Sequence, residues 1–125
     1  MPHIQIDINR NLRSDQKKII CRNVVEIFSK VMKTGKDHIA ISLREFDKDN
    51  LYLGQVRDIS NGIILMNIDL RSGRTTKQRE ILKSELMEGL SQITFIPIES
   101  MYVTYTEHPG QDFHLSNRNL DDWSL

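Results

Sequence analysis

The second residue of the chain is the first group that could do chemistry. Pro2 directly follows Met1, and an initiator methionine is commonly removed before a small residue such as proline. Its removal would leave a secondary amine at the start of a strand. An α-amino group titrates near ~8, and burial or a neighbouring cation lowers that pKa towards neutrality. Such an amine can serve as a general base, although proline is also an ordinary residue at the start of an edge strand.

Two arginines three residues apart form the second feature. Arg71 and Arg74 lie between the end of a predicted strand and the start of a predicted helix. Ligands gather at the carboxyl ends of parallel strands, and guanidinium groups beside helix-terminal N–H groups suit a carboxylate. The sequence therefore predicts a site for a small carboxylic acid here. The alternative is a solvated turn in which Gly73 supplies backbone freedom.

A polar cluster follows the last predicted strand. Its members are Glu107, His108, Asp112, Phe113 and His114. A Glu/His cluster can do acid–base work, but histidines in a polar loop are more often simply solvated. Both interpretations stay open from the residues alone.

Hydrophobic periodicity predicts the elements that position these residues. Alternation of period two indicates four strands and helical spacing of apolar residues indicates two helices. Ser14 is the expected cap of the first helix, Gly35 its expected end, and Thr75 with Gln78 a capping box for the second helix. The predicted strands are His3–Ile8, Ile39–Leu43, Ile63–Leu70 and a fourth marked by Met101, Val103 and Tyr105.

The two halves of the chain repeat one pattern. Arg13-Ser14 matches Arg74-Thr75 at an offset of 61 residues, and β-α-β units span about 2–46 and 62–107. The repeat predicts an α/β (α+β) fold, a four-stranded sheet with two helices on one face. Residues 1–125 are expected to form a single domain with a polar C-terminal tail. Because the second sheet face would be left bare, a homo-oligomer is expected.

Composition excludes several partners. The 17 basic and 17 acidic residues give a formal charge of +0, which argues against binding to nucleic acid or a membrane surface. A lone cysteine, Cys21, cannot form an internal disulfide, and no Cys/His spacing suggests a zinc site. No apolar run reaches the ~18 residues that span a bilayer. We therefore expect a soluble cytoplasmic protein without a cofactor.

Three segments together resemble the tautomerase superfamily, and in particular the branch that contains cis-3-chloroacrylic acid dehalogenase. They are the Met1-Pro2 start, the stretch from Arg71 to Gln78, and the stretch from Thr106 to Gly110. With the β-α-β repeat, the resemblance extends to about residue 115. It implies a homotrimer in which Pro2 is the general acid–base group and Arg71 and Arg74 bind the substrate carboxylate. It also implies that Phe113 matches a pocket phenylalanine of the 4-oxalocrotonate tautomerase branch.

Departures from that branch narrow the expected reaction. Its dehalogenases activate water with a histidine, a tyrosine and a glutamate, and the corresponding positions here are Phe28 or Ser29, Thr104 and Leu115. Tyr105 is one residue along the strand and is expected to point to the other face. Proton transfer needs only the proline and the arginines. The expectation is therefore a tautomerase or isomerase acting on a small 2-oxo or 2-hydroxy-dienoate acid.

Two alternatives remain open at this point. One is a hydratase or decarboxylase of a β-oxo acid that resembles malonate semialdehyde decarboxylase, with Asp37 as the carboxylate partner. The other is a catalytically silent trimeric interaction module. The titration of the Pro2 nitrogen distinguishes an enzyme from a silent module.

Overall fold

A four-stranded mixed sheet carries two long helices on one face. The computed structural model describes residues 2–116 and 118–119, so Met1, Asn117 and the end of the polar tail at 120–125 lie outside the described residues. The strands are β1 (His3–Ile8), β2 (Ala40–Glu45), β3 (Ile64–Arg71) and β4 (Met101–His108), and the helices are α1 (Ser14–Met32) and α2 (Thr76–Thr94). A short pair, β5 (His114–Leu115) and β6 (Arg118–Asn119), follows β4.

The sheet has the strand order β2-β1-β3-β4. Strands β1 and β2 are parallel, as are β3 and β4, while β1 and β3 run antiparallel at the centre. Each parallel pair is joined by a helix, α1 in the first half and α2 in the second. The predicted fold class, two β-α-β units with both helices on one face, is confirmed.

Alternation along the central strands fills the core. Ile4, Ile6 and Ile8 of β1 are almost fully buried and lie beneath the helices, and β3 shows the same alternation. Large buried side chains of the helices pack against these strand residues, among them Phe28 of α1 and Leu86 of α2. Each such side chain contributes roughly 1.5–3 kcal/mol on burial, so the apolar stripes hold the helices to one face.

The other face of the sheet carries paired polar side chains. Arg44 donates two hydrogen bonds to the Asp7 carboxylate, at 2.7 and 2.9 Å. A hydrogen bond of 2.7 Å joins the His3 ring to Ser42, and Thr104 donates to Asn67 Oδ1 at 3.0 Å. Paired polar groups tolerate water. Exposure of this face alone therefore does not require an oligomer.

The helix ends differ slightly from the expected ones. Arg13 caps α1, and its backbone N–H donates to Gln16 Oε1, so Ser14 is the first helical residue. The helix ends at Met32, with Lys33 as its C-cap at a φ of 52°, and does not reach Gly35. The left-handed position at a helix C-terminus is usually glycine, because a Cβ is unfavourable in that conformation. The rule that a glycine marks the helix end therefore placed this cap two residues too late. The Thr75–Gln78 capping box of α2 is confirmed.

Two arginines tie each half of the chain to the helix of the other half. Arg10, which follows β1, donates to the carbonyl oxygen of Thr94 at the end of α2. Arg74, which follows β3, donates from Nη1 to the carbonyl oxygen of Met32 at the end of α1, at 2.9 Å. We call these two contacts the reciprocal caps. They satisfy carbonyls that have no partner within their own helix.

The connection between the halves contains short helical turns and is hydrogen-bonded at both ends. Short 3-10 turns at Lys48–Asn50 and Ile59–Asn61 interrupt the connection. The Asn9 side chain holds both ends of this connection, since it donates to Lys48 O at 2.9 Å and accepts from Ile63 N at 2.6 Å.

Within the described residues, neither long helix has an apolar stretch sufficient to cross a membrane.

Candidate functional site

Pro2 lies at the same end of the sheet as Arg71. Its ring is buried and its carbonyl oxygen accepts a hydrogen bond of 3.2 Å from Ala40 N. In the antiparallel β1–β3 pair His3 lies opposite Asp69. Continuing this register by one residue places Pro2 opposite Leu70, next to Arg71. The structure thus brings together residues that are about seventy positions apart in sequence.

Arg71 closes β3 and lies against the turn that follows β4. The nearest atoms to an added Cβ on Gly110 would be those of the Arg71 guanidinium, which therefore rests on this glycine. Ser72 N donates to His108 O at 2.8 Å and fixes the start of the Arg71–Arg74 turn to the end of β4. The Arg71 side chain is half-buried, so part of it faces solvent.

Arg74 is buried, with 6% of its surface exposed. One donor is used by Met32 O, while its Nε has no hydrogen-bond partner among the described residues. Burial, and to a smaller extent the charge of Arg71, lower the pKa of Arg74. A buried cation beside a second cation is relieved by an anion. Two neighbouring cations at this end of the sheet have the charge that suits an anion such as a carboxylate.

Phe113 lies at the same end through its contact with His108. The two rings meet edge to face, with centroids 5.7 Å apart and planes at 89°. The same His108 ring lies 3.3 Å from Asp69 Oδ1, and Asp112 is also close, at 4.0 Å. Phe113 is thus an apolar ring with a polar network behind it.

Glu107 and Tyr105 belong to the helix side of β4. Glu107 forms a 2.5 Å ion pair with Arg79, and the Tyr105 hydroxyl donates to the carbonyl oxygen of Arg79 at 2.7 Å. Burial, with the nearby Glu80 charge adding to it, raises the pKa of Tyr105 to about 12. Tyr105 therefore stays protonated at neutral pH and has its proton committed to α2.

The positions that correspond to a water-activating set are occupied by groups of other kinds. Phe28 is a core residue with 1% of its surface exposed. Ser29 donates to Thr34 O at 2.5 Å, and Thr104 is bonded to Asn67 on the polar sheet face. Asp37, the carboxylate considered for a decarboxylase, is exposed. These placements do not favour activation of water by that set.

His38 is a buried residue of this region that the sequence analysis missed. It has 6% of its surface exposed, and its Nε2 lies 3.1 Å from Thr34 Oγ1. It directly precedes Ile39 and β2, whose first residue bonds to Pro2. The signal in the sequence is the position of His38 directly before a strand that was predicted to pair with the first strand.

A cleft of about 280 Å³ lies at the opposite end of the sheet. It is lined by residues that follow β1 and β2, among them Arg10 and Lys48. The Arg10 guanidinium there already donates to Thr94 O and Asn61 O. The cleft contains none of the predicted site residues. Across the part of the chain described, no three or more His, Cys, Asp or Glu side chains are arranged to hold a metal ion.

Solved structures share this fold. The chain superposes on N1, a member of the cis-3-chloroacrylic acid dehalogenase family, with a TM-score of 0.85 at 15% identity, covering 94% of this chain and 82% of that one. A fused 4-OT symmetric trimer gives a TM-score of 0.83 at 15% identity over 95% of each chain. FG41 malonate semialdehyde decarboxylase inhibited by 3-bromopropiolate gives 0.79 at 17% identity, over 90% of this chain and 88% of that one.

Comparison of the sequence with known families finds no match, whereas comparison of the structure does. No protein-family model matches the sequence, and no curated protein matches it either. The structural likenesses nevertheless span nearly the whole chain, and all three relatives are tautomerase-superfamily structures. The resemblance inferred from the residues is confirmed at the level of the fold, which is the tautomerase fold.

Proposed function

We propose that the protein is a tautomerase that moves a proton within a small 2-oxo or 2-hydroxy-dienoate carboxylic acid. The observation that carries the proposal is the buried Arg74, whose Nε lacks a partner among the described residues, at the sheet end where Pro2 and Arg71 also lie. Two neighbouring guanidinium groups favour an anionic ligand. Such a ligand would lie next to the one residue whose amine could take a proton.

The proposed reaction uses the Pro2 amine after loss of Met1. The amine nitrogen takes the proton from the enol oxygen, and the enol electrons move towards the distal carbon. The protonated amine then returns the proton to that carbon, so the enol becomes the keto acid and the amine is regenerated. Arg71 and Arg74 hold the carboxylate, and their charges stabilise the enolate that forms in between. The same charges lower the pKa of the amine into the working range of a general base.

Phe113 is proposed as an apolar wall of the site. Its ring lies against His108, which is opposite Arg71 in the β3–β4 register. An apolar wall excludes water from the enolate and strengthens the charge interactions there. We also propose a homotrimer, in keeping with the trimers of fused 4-OT that share the fold.

The test is direct. Intact mass of the purified protein should show a chain that lacks Met1. ¹⁵N NMR of Pro2 should give a pKa below the ~8 of an ordinary α-amino group. Ketonisation of enol-phenylpyruvate and of 2-hydroxymuconate should fall by about two orders of magnitude or more in Pro2→Ala.

A matched control removes a proline at the other end of the sheet. Pro97 precedes a 3-10 turn that leads into β4, so Pro97→Ala should retain wild-type turnover. Retained Met1, or an undiminished rate in Pro2→Ala, would show that the proposal is wrong and favour a silent module.

A further inference from the structure

The turn after β4 approaches the Arg71 guanidinium more closely than any side chain would allow. A Cβ built on Gly110 would lie 2.7 Å from Arg71 Nε and 2.9 Å from both Cζ and Nη2. Real Cβ contacts are essentially never shorter than 3.0 Å. Position 110 therefore has room for hydrogen and for nothing larger while Arg71 stays where it is.

Backbone conformation does not explain this glycine. The described glycines with positive φ are Gly62 and Gly73, so Gly110 has a backbone that residues with a Cβ also adopt. It begins the 3-10 turn Gly110–Asp112, where alanine is acceptable. What requires glycine here is the space taken by the guanidinium.

The turn cannot easily withdraw from Arg71. Asp112 N donates to Pro109 O at 3.0 Å, and Phe113 N donates to Gly110 O at 3.1 Å. The entry is fixed as well, because His108 O accepts from Ser72 N at 2.8 Å. A rigid turn meets the far end of a flexible side chain, so the guanidinium is the part that yields to an added methyl group.

We propose that Gly110 is a positioning residue that sets where the Arg71 guanidinium lies, and thereby sets the affinity for the substrate carboxylate. This inference rests on the proposed function of Arg71 as a carboxylate ligand. A guanidinium binds a carboxylate through parallel N–H groups in a fixed plane, and displacement by about 1 Å can cost up to about a hundredfold in rate. A smooth glycine surface lets that plane lie flat against the turn.

The experiment compares Gly110→Ala with Gly54→Ala. An added Cβ on Gly54 would meet nothing within 4 Å, so Gly54→Ala controls for the loss of a loop glycine. Kinetics with enol-phenylpyruvate should show kcat/KM lowered about tenfold or more in Gly110→Ala, with KM raised. The Arg71 Nε–Hε NMR resonance, assigned from Arg71→Lys, should shift in Gly110→Ala while the melting temperature stays unchanged. Gly54→Ala should match the wild type throughout.

A double-mutant cycle tests whether the effect passes through Arg71. Lysine has no guanidinium to displace, so Gly110→Ala in the Arg71→Lys background should change KM by less than about twofold. An equal rise of KM in both backgrounds would overturn the proposal, as would a Gly110→Ala protein with unchanged KM and Arg71 resonance. A melting temperature that falls together with kcat and KM effects would reduce Gly110 to a structural role and also overturn it.

Failure of the proposed function can be recognised separately. If the wild type has no measurable turnover, the tautomerase proposal fails, whereas the NMR comparison still decides the positioning of Arg71. A shifted resonance in Gly110→Ala supports it and an unshifted one overturns it.

Discussion

Replacing Arg74 with methionine separates the contribution of this side chain to stability from its proposed role in binding. Arg74 is buried and donates to Met32 O at the end of α1. Loss of a hydrogen bond from a charged donor costs roughly 1.5–3 kcal/mol. Part of this cost is offset, because the variant no longer buries a positive charge next to Arg71. That charge is unfavourable, since burial and the neighbouring charge both lower the pKa of Arg74. We expect a net loss of about 2 kcal/mol in the free energy of unfolding.

The assay pairs this variant with Arg10→Met. Arg10 makes the other reciprocal cap, on Thr94 O, at the opposite end of the sheet. Urea unfolding at one protein concentration should show both variants less stable by about 2 kcal/mol, with melting temperatures lower by roughly 6–10 °C. Ketonisation measured well below melting should fall at least about tenfold in Arg74→Met and stay within about threefold of wild type in Arg10→Met.

Two results would refute this reasoning. Arg74→Met with wild-type stability would show that the bond to Met32 O is not a structural tie. Equal losses of kcat/KM in both variants would show that activity follows stability and that Arg74 has no separate part in binding.

Three further predictions concern stability alone. An unfolded tyrosine releases its proton near ~10, whereas the pKa of Tyr105 is raised to about 12 in the fold, so the folded state loses stability as pH rises between these values, and Tyr105→Phe should abolish most of that loss. Gly62→Ala should cost about 1–3 kcal/mol, because φ is 96° and the new Cβ would lie 2.8 Å from Ile96 Cδ1. Gly89→Ala should destabilise the wild type, since its Cβ would lie 2.5 Å from Asn23 Oδ1, yet stabilise an Asn23→Ala protein by up to about 1 kcal/mol through helix propensity.

Each of these has a control and a contradicting result. Tyr102 is half exposed and serves as the control. If Tyr102→Phe also abolished the loss of stability at alkaline pH, that loss would not be due to Tyr105. Gly54→Ala should remain within about 0.5 kcal/mol of wild type, and a Gly62→Ala protein equally stable would contradict the strain argument. Gly89→Ala that behaves alike with and without Asn23 would show that the two positions do not meet.

Most of the fold could be predicted because its signals are local. The period-two alternation of Ile4, Ile6 and Ile8 and the capping box at Thr75 depend on neighbours in sequence. The left-handed C-cap at Lys33 could not be predicted, since lysine is uncommon in that conformation and its φ of 52° follows no local sequence signal.

The site divides in the same way. Pro2, Arg71 and Arg74 were predicted from residue type and spacing, and the β1–β3 register places Pro2 and Arg71 at one end of the sheet. Three properties depend on contacts between distant segments: the burial of His38, the Arg79 pairing of Glu107, and the fit of Gly110 to Arg71. No local pattern reports a contact across 39 residues, such as that between Arg71 and Gly110, so these emerged from the structure alone.

The reciprocal caps make each half of the chain depend on the other half for its stability. A chain cut within the connection of residues 47–60 would yield two β-α-β fragments. Each would carry an inner strand, β1 or β3, with one edge unpaired, and a helix whose last carbonyl lacks the arginine that the other fragment holds. We therefore expect each fragment to be much less stable than the whole chain, and mixing the two to restore both caps and the central strand pair.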